Sequence, residues 1–106
     1  MKRYRVLAVA ALVTAIALPA AAQTDGASVY ASKCLMCHAA DGTGSTPAGR
    51  AIKAPSLLSP AAVKESNADL LVVINKGKGR MPGYAGRLTA AEITAVTAYI
   101  RTLQKQ

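Results

Sequence analysis

The chain has no phenylalanine and no tryptophan, and four tyrosines supply all of its aromatic content. It has one histidine, two cysteines and five acidic residues. Each scarcity excludes something. Large aromatic side chains dominate the energetics of ordinary cores, so a short chain without them needs another source of apolar bulk. Two cysteines and one histidine fall short of the four-ligand sets of structural zinc. A single histidine and few acids leave little material for paired acid–base chemistry. No segment alternates convincingly as a strand, and no internal repeat is visible.

What is present is concentrated at one point. Cys34-Leu35-Met36-Cys37-His38 holds both cysteines and the histidine. Cys-x-x-Cys-His reads as a covalent attachment site for c-type haem. Each sulfur can add to one haem vinyl group, and two intervening residues let both sulfurs reach from one helical turn. His38 then faces the iron and offers a proximal imidazole nitrogen. A thioredoxin-like Cys-x-x-Cys would need a strand–helix context. Here a helical pattern precedes the motif and a Gly-rich stretch follows it. A plain Cys34–Cys37 disulfide would leave His38 without a role.

The N-terminus points to export. Met1-Lys2-Arg3-Tyr4-Arg5 is cationic, Val6 through Leu18 is apolar apart from Thr14, and Pro19 precedes Ala20-Ala21-Ala22. That order is a secretory leader with a small-residue cleavage site. The apolar run is shorter than the ~20 residues of a transmembrane helix, an uncleaved anchor being the alternative. Residues 1–22 are therefore expected to be removed, leaving 23–106 as one periplasmic domain. A domain of ~84 residues is marginal without extra core, and a buried, tethered macrocycle would supply it.

The formal charge is +8. Setting aside Lys2, Arg3 and Arg5 leaves +5. Lys76, Lys78 and Arg80 form one basic cluster, Arg50 and Lys53 another. A basic surface steers toward an acidic partner or anionic membrane face, or simply solvates the protein. Export and the lack of interleaved aromatics argue against nucleic acid.

Local signals predict three main helices. Asp25 is placed to cap a first helix, with Gly26, Val29, Tyr30, Lys33, Cys34 and Cys37 on one face, ending by about Ala39. Residues 41–56, rich in Gly, Ser, Thr, Pro and Ala, read as a loop. Ser59-Pro60 can open a helical turn. Ser66-Asn67-Ala68-Asp69 resembles a capping box, and Gly77 stops the helix it opens. Thr89 and Glu92 form a full capping box, Leu88 and Ile93 a staple, and Ile93, Val96, Ile100 and Leu103 run down one face.

An iron held by His38 alone would have an open position, and its occupant decides the chemistry. Met36 lies within the attachment motif on the proximal side, and Met1 leaves with the leader. Met81 remains. Pro82 biases it away from the helical region, and Gly79 and Gly83 flank it. A lone Met beside Pro is otherwise core filler. Given a haem, it is the candidate second ligand.

With these pieces in order, the chain resembles a class I c-type cytochrome of the small bacterial periplasmic monohaem kind. The matching segments are the attachment motif, Lys53-Ala54-Pro55-Ser56-Leu57, Gly79-Arg80-Met81-Pro82-Gly83-Tyr84, and Leu88 to Ile93 leading to Tyr99-Ile100. The resemblance implies an all-α fold of three main helices and short turns around one covalently bound haem c. It implies that Tyr30 and Tyr99 pack between first and last helices crossing near Gly26. It implies that the Pro55 carbonyl accepts a hydrogen bond from the proximal imidazole, with Pro47 the alternative. The chain departs from the common pattern at Ala39, where glycine is frequent.

Cys34, Cys37, His38 and Met81 together would make a closed, six-coordinate site that exchanges electrons and transforms no substrate. Lys33, Lys53, Lys76 and Lys78 are candidates for a docking rim facing redox partner proteins, and the protein is expected to be a monomer. The alternatives are an open-site gas-binding or peroxidase-like haem protein, and a subunit held by a larger oxidoreductase.

Overall fold

Residues 2–16 and 24–105 are described by the computed structural model. The elements are α1 (Gly26–Lys33), α2 (Leu35–His38), α3 (Pro47–Ala51), α4 (Pro60–Lys64), α5 (Asn67–Lys76) and α6 (Ala90–Gln104). Among the described residues there is no strand, only the isolated bridges Lys78–Met81 and Ala85–Leu88. The expected all-α architecture holds.

Each main helix starts where a side chain can take up a free N–H. Asp25 accepts from Ala27 N at 3.0 Å, and Ser66 accepts from Asp69 N at 3.1 Å. Thr89 and Glu92 complete a reciprocal box, Thr89 Oγ1 accepting from Glu92 N at 3.1 Å and Glu92 Oε1 from Thr89 N at 3.0 Å. Such caps satisfy donors that have no partner inside the helix. Gly77, at φ 77°, ends α5.

Two expectations need correction. The first helix is not continuous to Ala39: it breaks at Cys34, where φ is −114°, into α1 and α2. Residues 41–56 are not all loop, because Thr46 caps the short helix α3 with Pro47 in its first turn.

The core lies between α1, α5 and α6. Val29, Tyr30, Leu70, Ile74, Ile93, Val96, Ile100 and Leu103 are buried. The helices α1 and α6 cross where a Cβ on Gly26 would sit 2.2 Å from the Ala95 carbonyl oxygen. Beside that crossing the Tyr30 and Tyr99 rings pack tilted, centroids 5.2 Å apart. Residues 2–16 form no helix, and their apolar side chains, Val6, Leu7, Leu12 and Ile16 among them, are exposed. The expected cleavage site at Ala20–Ala22 lies outside the described residues. Among the described residues, no helix is long and apolar enough to cross a membrane.

Candidate haem site

The proximal wall is built on the break at Cys34. The N–H groups of Cys37 and His38 both turn to the Cys34 carbonyl, at 3.2 and 2.9 Å. This single tight turn presents Cys34, Cys37 and His38 to one side. The turn is braced from behind by α3: a Cβ on Gly49 would lie 2.2 Å from the Cys37 carbonyl oxygen, so only glycine lets α3 approach. Thr46 Oγ1 donates to the Met36 carbonyl and accepts from Gly49 N. The His38 carbonyl takes the Gly44 N–H at 2.8 Å.

A second part of the wall carries Met81. Lys78 and Met81 exchange backbone hydrogen bonds at 3.1 and 3.0 Å around Gly79-Arg80. Gly79 has φ 57°, the positive value required at the first central residue of a tight hairpin turn of type II′. The segment then folds back on α5, Tyr84 N bonding the Ile74 carbonyl at 2.8 Å and Ala85 N that of Asn75 at 3.1 Å. Met81 is thus on a constrained loop between two helices, as its neighbours in sequence suggested.

Between these walls lies a cavity of about 750 Å³. Cys34, Cys37, His38, Pro55 and Met81 all line it. So do apolar residues of every side: Ile52 and Leu57 before α4, Leu70, Val73 and Ile74 on α5, and Leu88, Val96 and Ile100. Close-packed interiors do not keep voids of this size; it is the volume of a cofactor pocket. Lys33, Lys53, Lys78 and Arg80 also line it and are exposed, with Glu65 as the acidic exception. Lys76 and Arg50 do not line it.

The donor set fits a haem c. Both cysteines are free thiols. Burial pushes the Cys34 thiol up to about 11, which opposes the thiolate character a redox-active Cys-x-x-Cys needs. Burial also lowers the His38 pKa, keeping the imidazole neutral and able to ligate. His38 Nδ1 is buried and finds no hydrogen-bond partner among the described residues. Pro55 lines the same cavity, yet its carbonyl makes no hydrogen bond to that nitrogen here. No group of three or more His, Cys, Asp or Glu side chains that could hold a metal ion exists among the described residues.

Comparison with known proteins shows the family. The family described as cytochrome c oxidase, cbb3-type, subunit III matches residues 21–100. Cytochrome c6 of Microcystis aeruginosa is 34% identical over 76 residues, covering 72% of this chain and 90% of the relative. The chain belongs to the class I c-type cytochromes. A solved c-type cytochrome, KustC0563, superposes on this cytochrome with a TM-score of 0.69 at 27% identity, over 74% of this chain and 96% of that one. The cbb3-type oxidase subunit CcoP of Cereibacter sphaeroides is 34% identical over 86 residues, and the cytochrome spans only 28% of its length. This cytochrome accordingly binds one haem c covalently, and it is an electron carrier and not an enzyme.

Two contributors to the site were missed in the sequence. Thr46-Pro47 is a cap-plus-proline start that could have flagged α3. Tyr84 lines the cavity and reaches across to the Lys33 carbonyl, a contact for which the sequence carries no signal.

Proposed function

We propose that this cytochrome is an exported, periplasmic electron carrier in which His38 and Met81 would both ligate the haem iron. The observation that carries the reading is that Cys34, Cys37, His38 and Met81 line one cavity, the first three on one short turn and Met81 on a pinned loop. The bound haem supplies a one-electron Fe(III)/Fe(II) couple. Cys34 and Cys37 would hold it by thioether bonds, and the neutral His38 imidazole would supply a nitrogen ligand to the iron. The Pro55 carbonyl would be the acceptor for the Nδ1–H, fixing the ring and raising its basicity. The Met81 sulfur would be the second protein ligand and would raise the potential. The apolar walls exclude water, and Lys33, Lys53, Lys78 and Arg80 present a basic rim to an acidic partner.

The optical spectrum of the matured protein in both redox states tests the ligand set. Low-spin ferric iron with the weak red charge-transfer band of sulfur ligation is expected, with slow or absent carbon monoxide binding when reduced. Met81→Ala should lose that band, admit carbon monoxide and lower the potential. A high-spin unmutated protein that binds carbon monoxide readily would hand the site to the open-site reading.

A second reading is favoured by the match to an oxidase-subunit family: the same electron carrier held by a larger oxidoreductase. Size-exclusion chromatography of material from its own host separates the two, a free shuttle eluting as a monomer.

A further inference from the structure

We propose that Tyr84 is a positioning residue whose hydroxyl latches the Met81 loop onto the last residue of α1, directly before the attachment motif. The inference rests on Met81 being the second iron ligand.

The break at Cys34 creates the receptor for this latch. In an unbroken helix the Lys33 carbonyl would accept the Cys37 N–H. That N–H turns instead to the Cys34 carbonyl at 3.2 Å. Lys33 is thus left with a carbonyl that no helical donor takes, one residue before the first attachment cysteine. Tyr84 donates its hydroxyl to this oxygen at 3.1 Å, across 51 positions of sequence.

The Met81 loop has no comparable tie elsewhere. Its backbone bonds run to its own wall: Gly77 N to Val73, Tyr84 N to Ile74 and Ala85 N to Asn75. The Lys78–Met81 pair is internal to the turn. Among the described residues, Tyr84 to Lys33 is the one hydrogen bond joining the segment 77–88 to α1 or α2. The loop is therefore hinged along α5 and fastened on its free side by one phenol. The Arg87 guanidinium lies over the Tyr84 ring at 5.3 Å from its centroid and steadies it. Burial raises the Tyr84 pKa, so the hydroxyl stays a donor at neutral pH.

The geometry gives the latch a specific consequence. Met81 and Tyr84 lie on one short segment, and both line the cavity with Lys33 and Cys34. Releasing the hydroxyl frees the side of the loop that is tied to the end of α1, while the α5 hinge and the core stay intact. Met81 should then leave the iron more often without general unfolding.

Tyr84→Phe keeps the ring and removes the donor. In the haem-loaded ferrous protein, carbon monoxide binds only when Met81 is away, so its association rate reads the open fraction. The variant is expected to bind carbon monoxide about two- to tenfold faster, the factor one net hydrogen bond supports. In the ferric protein the sulfur band should disappear on heating at a lower temperature than in the unmutated protein, while the far-ultraviolet helix signal keeps its midpoint. Arg87→Ala, which leaves the hydroxyl in place, should give a smaller rise in the same rate. An unchanged carbon monoxide rate in Tyr84→Phe overturns the latch. So does a parallel fall of band and helicity, since that is plain loss of stability. If the unmutated protein lacks the sulfur band, the Met81 ligand reading fails first and the latch with it; a band present in both proteins with equal rates removes the latch alone.

Discussion

Ala39 has φ 64° and ψ 162°, a backbone region that glycine occupies and other residues adopt at a cost of about 1–3 kcal/mol. It directly follows His38, so the turn that aims the imidazole contains the strain. Tyr30 holds that turn from inside the core: its hydroxyl, 1% exposed as a residue, donates to the Ala39 carbonyl at 2.6 Å. Burial pushes the Tyr30 phenol up to about 12, so it remains a donor across the ordinary pH range. Ala39→Gly should raise the thermal midpoint, because relief of the backbone exceeds the roughly 0.4–1 kcal/mol of added chain entropy. Tyr30→Phe should lower stability by about 0.5–1.5 kcal/mol, the net worth of one hydrogen bond, since the Ala39 carbonyl keeps the Gly42 N–H at 3.2 Å. Thermal melts of the holoprotein check both, and equal midpoints for Ala39→Gly and the parent would show that the turn is not strained. The departure at Ala39 was visible in the sequence as an alanine where glycine is frequent. The destination of the Tyr30 hydroxyl was not, because it depends on how the chain turns after His38.

The helices differ in how far their own residues determine them. The start of α6 was legible down to both hydrogen bonds of its capping box, because cap, box and apolar face are all local. The short helix α3 was missed despite its local Thr46-Pro47 start, since its segment has no apolar period; it is further held by tertiary ties, from Thr46 to the Met36 carbonyl and from the approach of Gly49 to Cys37. The break between α1 and α2 was equally hidden, because Cys34 and its neighbours continue the spacing of one helical face while the backbone turns. The crossing of α1 on α6 was expected at Gly26, and the structure places it there. A methyl group at that position would meet the Ala95 carbonyl at 2.2 Å and the Tyr99 Cβ at 3.0 Å. Neither is the free end of a flexible chain, so the helices must separate. Gly26→Ala is expected to destabilise the holoprotein by about 1–3 kcal/mol, measured by denaturant titration. A change under a few tenths would mean that the two helices can slide without loss.

The molecule as a whole is a shell around something absent from its own sequence. With no Phe or Trp, its fully buried side chains reduce to Tyr30 and Val96 at the largest sizes. Beside the core that α1, α5 and α6 share lies a cavity of about 750 Å³. The cleft opens to solvent. The cavity's walls are also mostly apolar, so water entering it would gain few hydrogen bonds. The folded arrangement is therefore expected to depend on the covalent cofactor to fill it, the chain being short and poor in aromatics. Apoprotein made without haem attachment is expected to show weak helicity and a broad, non-cooperative melt by circular dichroism. Attachment should restore both the helical signal and a sharp transition. A cooperative, fully helical melt of the apoprotein would mean that the walls close on themselves when the haem is missing, and that the cavity is a consequence of the cofactor and not a fixed property of the chain.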